Sequence, residues 1–388
     1  MGHDPRRNLG VAWRARELWR ILSIALIYFW SPHTLTVEET RTSRQASFPI
    51  TDKPRLQSQG VPAAYKMSPW KETVADVWAH IYGFIQCVGA ILWSLVLLQV
   101  EYFDLLFPKR KSFRGETILI TGGASGIGRL MALKFAAYEN TTIIIWDLNE
   151  GAMKAVAREV EGIGARVFTY KVDVSKRERV YEVAKQMRKD VGKSVSVLVN
   201  NAGIVAGKPF LEGDDAYSLK TMEVNVIAHF WTIKAFLPAM VEANHGHIIT
   251  VASTAGLVGV DGLADYCTSK AAAISFHEGI RTEVRRLKRP GIRMTLVNPY
   301  FIDTGMFTGA KTKAPILLPI LQPEYVATSI IDAAEKNRNL LNLPRYTYIL
   351  MVTNGVPALV RDFIYDFMGI GENMADFKQT RTKSLKEQ

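Results

Sequence analysis

The stretch TILITGGASGIGRLMALKFAAY, residues 117–138, holds three signals in a fixed order. The β-branched run Thr117 to Thr121 reads as a strand, and Arg129 to Tyr138 reads as a helix. Between them lies the turn Gly122-Gly123-Ala124-Ser125-Gly126-Ile127-Gly128. Glycines let a backbone turn tightly and come close to a pyrophosphate, and the free N–H groups at a helix start attract its negative charge. Gly122, Ser125, Gly126, Ile127 and Gly128 are therefore candidate dinucleotide-binding residues. A glycine turn alone is weak support, since any tight turn uses glycine.

The next strand strengthens it. Thr142 to Trp146 is β-branched and ends at Asp147, about twenty residues beyond the loop, where a ribose-binding carboxylate belongs. Asp147 would accept both ribose hydroxyls of NAD and repel the extra phosphate of NADP, and the loop has no basic residue to receive that phosphate. Strands and helices then alternate: Arg166 to Val172, a helix to Asp190, Val195 to Val199, a long helix to Val241, His247 to Ala252, a helix from Ala264 to Leu287, and Ile292 to Val297. Such alternation predicts an α/β fold, a doubly wound parallel sheet covered by helices on both faces.

Upstream, Ile81 to Val100 reads IYGFIQCVGAILWSLVLLQV without a charge, long enough as a helix to span the ~30 Å hydrocarbon core. Lys109, Arg110, Lys111 and Arg114 follow it, which by the positive-inside tendency puts the larger C-terminal part in the cytosol. A helix lying in one leaflet, or a hairpin, gives the same side. Residues 1–66 read as an extension with a Ser, Thr, Pro and Gln-rich linker, native or the product of an upstream start. Residues 67–114 form the anchor and its basic flank, 115–312 the NAD-binding catalytic domain, and 313–388 a C-terminal cap. In that last part the apolar run Tyr346 to Ile370 either touches membrane, as lipid-facing helices do, or packs Ile349, Leu350, Val352, Leu359 and Phe363 against the sheet.

The 388 residues carry a net charge of +11, but Lys and Arg are scattered rather than gathered in one stripe, which argues against a nucleic-acid partner. The two cysteines, Cys87 and Cys267, supply neither a disulfide framework nor a metal cluster.

Tyr266 and Lys270 stand four apart on a helix, so both project from one face and the ammonium would lower the phenol pKa from its usual ~10. Ser253 ends the strand His247 to Ala252, at the edge where open α/β sheets gather catalytic groups. Asn200-Asn201-Ala202-Gly203 ends the strand before it, with small residues beside the cofactor. Asn225 is an amide among apolar neighbours in the long helix and needs a partner.

As a set, TGGASGIG, NNAG, the Asn225 helix, Ser253 and YCTSK resemble the short-chain dehydrogenase/reductase family over roughly residues 115–310. The finer wording of WDLN, KAFLPAM, NHGHI, GLADYCTSK and NPYFIDTGMF is similar to the branch containing epidermal retinol dehydrogenase and lipid-droplet 17-beta-hydroxysteroid dehydrogenases. The resemblance implies a Rossmann-type sheet and a catalytic tetrad of Ser253, Tyr266, Lys270 and Asn225. Around NAD it implies Gly122, Ser125, Gly126, Ile127, Gly128, Asp147, Asp173 at the adenine, Asn200, Ala202, Tyr266, Lys270, and Thr304 at the carboxamide. Tyr300 departs from the wider family, which places glycine after the proline. A homodimer is implied by the resemblance alone.

The resulting expectation is NAD-dependent oxidation of a hydrophobic alcohol, foremost all-trans-retinol to retinal, at the endoplasmic reticulum membrane or a lipid droplet. The alternatives are a 17-beta-hydroxysteroid or other lipid alcohol as substrate, and a non-catalytic membrane scaffold. A complete tetrad argues against the scaffold.

Overall fold

A computed structural model of the chain describes residues 77–78, 80–86, 88–89, 109–307, 309, 312–313, 315, 318–353 and 355–370. The chain divides into two units, Met1–Tyr82 and Gly83–Gln388. In the first, residues 77–78 and 80–82 are helical, with Val77, Trp78 and Ile81 exposed. In the second, residues 83–86 and 88–89 are helical with Phe84, Ile85 and Val88 exposed. The remainder of the expected anchor, Cys87 and residues 90–100, lies outside the described residues.

The second unit carries a seven-stranded sheet in the order β3-β2-β1-β4-β5-β6-β7, every pairing parallel. Its strands are β1 (Thr117–Thr121), β2 (Thr142–Asp147), β3 (Arg166–Lys171), β4 (Val197–Asn200), β5 (Gly246–Val251), β6 (Ile292–Pro299) and β7 (Leu340–Leu343). The central strands are buried on both faces, which is why they read as unbroken apolar runs instead of alternating ones. Side chains nevertheless divide between two cores with the strand period of two. Ile118, Ile120, Ile143 and Ile145 meet α1 (Gly126–Ala136), α2 (Glu150–Ile163) and α7 (Pro323–Glu335) through Met131, Phe135, Val156 and Ile330. Leu119, Ile144, Trp146 and Leu198 face the other way, onto α3 (Arg177–Val191), α5 (Ala228–Ala243) and α6 (Ala264–Arg286) through Val183, Met187, Phe236 and Val284.

The strand order reverses between β1 and β4, opening a crevice at their carboxyl ends, where this class of sheet binds its ligand. A helix continuous from Asp215 to Ala243 covers β4 and β5; it comprises α4 (Asp215–Met222), one wide turn at Glu223–Ile227, and α5. Among the described residues it alone is long and apolar enough to cross a membrane, yet half of its apolar window is buried, with Ile233, Phe236 and Met240 packed on the sheet. Its apolarity is that of a core helix.

Neither α7 nor β7 was legible as such in the sequence, and both come from the segment read as a cap. β7 is the short edge strand LLNL, poor in β-branched residues. Beyond it, α8 (Leu350–Thr353) and α9 (Ala358–Met368) follow. Leu350 is buried with Val258, Leu318 and Ile370, whereas Ile349, Leu359 and Phe363 are exposed, and α9 buries none of its residues. The side chain of Val352 lies outside the described residues.

The basic flank at 109–114 is largely tied down. Arg110 pairs with Asp332 at 2.7 Å and Glu335 at 2.6 Å, Arg114 with Glu139 at 2.8 Å, and Lys111 Nζ lies 2.6 Å from His247 Nδ1. Phe113 is buried edge-on against Phe135 at 5.0 Å and Tyr138 at 5.6 Å. These contacts fix the chain as it enters β1. Phe113→Ala is expected to destabilise the domain by about 3–5 kcal/mol, because that aromatic void cannot collapse. Arg110→Ala, losing two ion pairs of an exposed guanidinium, should cost far less. Thermal unfolding of the two variants checks the contrast.

Candidate active site

The glycine loop is shaped by contacts that leave no room for side chains. A Cβ at Gly128 would fall 2.2 Å from the Gly122 carbonyl oxygen, and one at Gly122 would fall 2.9 Å from Ala202 Cα. Gly122 and Gly126 also hold positive φ, 63° and 54°. Helix α1 accordingly starts at Gly126, three residues before the sequence pattern suggests, and its first turn faces the cavity. From across the switch point Asn201 Nδ2 donates to the Thr121 and Gly122 carbonyls at 2.9 and 3.1 Å. The Thr121 hydroxyl in turn accepts from the N–H groups of Asn201 and Ala202 at 3.0 and 3.1 Å. The ends of β1 and β4 are thereby stapled together.

A cavity of about 330 Å³ runs from this loop across the ends of β2 and β3 to the ends of β5 and β6. Gly122, Ser125, Gly126, Ile127, Gly128, Asp147, Asp173, Ala202, Ser253, Tyr266, Lys270 and Thr304 all line it. Asn200 does not: its side chain is buried in the layer below, where Oδ1 accepts from Thr232 at 2.8 Å. Asn201, one residue on, takes the place at the cavity wall. The doubled asparagine was the signal, and strand alternation decides which of the two faces the ligand.

Asp147 is held at the end of β2 by two backbone donors, Ala124 N–H to Oδ2 at 3.1 Å and Asn149 N–H to Oδ1 at 3.0 Å. A pinched glycine cradle, a helix start and a fixed carboxylate in one elongated cavity fit the pyrophosphate and adenosine ribose of a nicotinamide dinucleotide.

Asn225 sits in the wide turn between α4 and α5, fully buried. Turns of this kind mark functional positions inside helices. Both amide hydrogens and one lone pair of its oxygen are bonded within the protein: Oδ1 accepts from Ile204 N–H at 2.9 Å, and Nδ2 donates to Ile204 O and Ser269 Oγ, both at 3.0 Å. Ser269 then donates to Tyr266 O at 2.7 Å. Asn225 therefore clamps the loop after β4 to the helix bearing Tyr266. Ser269, the fourth residue of the YCTSK motif, went unnoticed in the sequence.

Tyr266 and Lys270 lie on one face of α6, both buried, with Lys270 Nζ 5.6 Å from the Tyr266 ring centroid. The expectation that lysine lowers the phenol pKa is not met in this arrangement. Burial pushes the Tyr266 phenol well above its ordinary value, and its hydrogen bond with Ser253 only partly offsets that. Lys270 directs its ammonium to Val251 O at 3.1 Å, and burial lowers it to about 8. Ser253 is fixed as well, its Oγ accepting from Ala255 N–H at 3.1 Å and donating to Pro299 O at 3.3 Å.

Ser253, Tyr266, Tyr300 and Phe307 also border a second, apolar cleft of about 30 Å³, closed by Val258, Leu263, Leu318, Leu350 and Ile370. Ser253, Tyr266, Tyr300 and Phe307 are thus shared between a cavity suited to a dinucleotide and an apolar cleft beside it.

A short chain dehydrogenase family model matches residues 116–315. Human epidermal retinol dehydrogenase 2 is 44% identical over 298 residues, which cover 76% of this chain and 95% of that protein. Human retinol dehydrogenase 10 is 40% identical over 332 residues, 78% and 96% of the two chains. Among solved structures, a short chain dehydrogenase/reductase from Burkholderia phymatum in complex with NAD superposes with a TM-score of 0.57 at 25% identity, over 63% of this chain and 95% of that one.

Gly128→Ala is expected to abolish dinucleotide binding, since its methyl group cannot coexist with the Gly122 carbonyl 2.2 Å away. Calorimetric titration measures this; wild-type affinity in the variant would contradict the cradle.

Proposed function

The chain belongs to the short-chain dehydrogenase family, and on that premise we propose that it oxidises a hydrophobic alcohol, foremost all-trans-retinol to retinal, with NAD. The observation that carries the reading is the meeting of the two cavities at Ser253 and Tyr266. The fixed Asp147 carboxylate supports NAD over NADP, because a 2′-phosphate would be repelled there. The names of the similar proteins favour a retinoid over a steroid.

A bound nicotinamide supplies the hydride acceptor. Ser253 Oγ holds the alcohol oxygen, and Tyr266 removes the hydroxyl proton as general base. Lys270, on the same face of α6, would hold the nicotinamide ribose, while Asn225 keeps the loop after β4 in register with Tyr266. A phenol raised by burial is scarce in its base form at neutral pH, so oxidation should quicken as pH rises toward the phenol's pKa. A rate that is flat or falls between about pH 6 and 9 contradicts Tyr266 as the base.

The cleft is too small for a lipid alcohol as it stands, so this reading requires its C-terminal wall at Leu350 and Ile370 to give way when substrate binds. The other side of that segment exposes Leu359, Phe363 and Phe367 along α9. This face rests on the membrane that holds the substrate, with the catalytic domain on the cytosolic side of the endoplasmic reticulum or a droplet. By its resemblance to the family, the chain pairs as a homodimer through α5 and α6.

The test is expression in membranes with all-trans-retinol and either NAD or NADP. Retinal should form with NAD, and Tyr266→Phe should lower kcat by roughly 10²–10⁴. If retinol is inert but a hydroxysteroid supports Tyr266-dependent turnover, the substrate assignment fails and the chemistry stands. Phe363→Glu with Phe367→Glu should raise KM for membrane-dissolved retinol about tenfold while sparing kcat; an unchanged KM removes α9 from the membrane.

A further inference from the structure

Lys220 is a cation inside the dinucleotide cavity with no part in the reaction above. It projects from α4, and its Nζ lies 3.0 Å from Asp173 Oδ2 and 2.6 Å from Ser175 Oγ, with Glu223 farther away at 3.7 Å. Asp173 lies two residues beyond β3, beside Asp147 and Leu148 at the end of β2, and all of these line the cavity. This is the end farther along the sheet from Ser253 and Tyr266, which stand beyond β5. The side chains of Lys220 and Asp173 are only 23% and 27% exposed.

The acceptor capacity of Asp173 is nearly spent. A carboxylate offers about four lone-pair positions. Oδ1 accepts from Ser175 N–H at 3.0 Å and from Ser175 Oγ at 2.7 Å, and Oδ2 accepts from Lys220. One position remains, on Oδ2. Burial opposes the charge on this carboxyl, but the bonds from Ser175 and Lys220 outweigh it and hold the pKa below its ordinary value, so the group stays ionised and purely an acceptor. A ligand edge that places a donor there is welcome, and one that places an acceptor is repelled.

Resting on the reading of the cavity as a dinucleotide site, we propose that Lys220 is a positioning residue for the adenine. With Ser175 it locks Asp173 so that the last lone pair of Oδ2 accepts the 6-amino group. Purine choice then depends on a residue of α4 that does not itself read the base. Lys220 carries no motif; only the folded chain brings it beside Asp173, 47 residues earlier in sequence.

Equilibrium titration of NAD and of nicotinamide hypoxanthine dinucleotide, whose 6-position bears a keto oxygen, tests this in the full-length protein. The wild type should prefer NAD by roughly tenfold or more, the scale of one buried donor–acceptor mismatch. Lys220→Met should weaken NAD about tenfold and bring the two affinities close together, while Lys220→Arg keeps most of the preference. KM for NAD should rise in Lys220→Met with kcat at saturating NAD unchanged. If Lys220→Met weakens both dinucleotides equally, or neither, Lys220 only braces the fold and the proposal is overturned. Should that variant not fold, Ser175→Ala removes the hydroxyl that donates to the same carboxylate and accepts from Lys220, and carries the same comparison; an unaltered preference there also refutes the proposal. These titrations need no alcohol, so an inert retinol leaves them readable, whereas a wild type that binds neither dinucleotide overturns both the cofactor reading and the role of Lys220.

Discussion

The close approach of Gly128 to the Gly122 carbonyl is the constraint on which the site depends. Because no Cβ intervenes, α1 can begin directly over the end of β1, and Asn201 can reach back from β4 to bond both Thr121 and Gly122. Two strands that are neighbours in space but 80 residues apart in sequence are thus joined at their carboxyl ends. The crevice between them is fixed before any ligand arrives, and a preorganised cavity of that kind avoids the ordering cost of closing a loop on binding.

A second staple runs through Asn225. The wide turn in the long helix lets its amide enter the layer between α6 and the loop after β4, where it bonds to Ile204 and Ser269. That arrangement sets the height of Tyr266 above the cavity. Burial raises the phenol and lowers the lysine, so the dry interior opposes the charged form of each. In the proposed mechanism, ionisation of Tyr266 therefore works against the dry interior that surrounds it, with Ser253 as the hydrogen-bond partner that eases it.

Much of the fold was legible because its central strands are continuous and bounded by glycine. The reading of β1 at Thr117 to Thr121 matches the structure to the residue. Helix α1 was placed three residues late, since periodicity does not register a helix that opens on a positive-φ glycine. The strand β7 was missed because four leucine-rich residues at a sheet edge look like loop or helix. In the site, motif spacing located Ser253, Tyr266, Lys270 and Asp147 at one cavity. Spacing did not separate Asn200 from Asn201, which lie on opposite sides of one strand end, and it gave no hint of Lys220. Nor did it foretell the sign of the Tyr266 shift, because burial by Phe307 and its neighbours is set by segments distant in sequence.

The central claim is that hydride leaves an alcohol held beside Ser253 and Tyr266 for a nicotinamide in the adjoining cavity. The most direct measurement supplies membranes containing the protein with retinol dideuterated at its carbinol carbon, together with NAD, and analyses the reduced dinucleotide by mass spectrometry. One deuterium per reduced nicotinamide, matched by monodeuterated retinal, is the expected result. Reduced dinucleotide without deuterium, or retinal without reduced dinucleotide, would contradict the account.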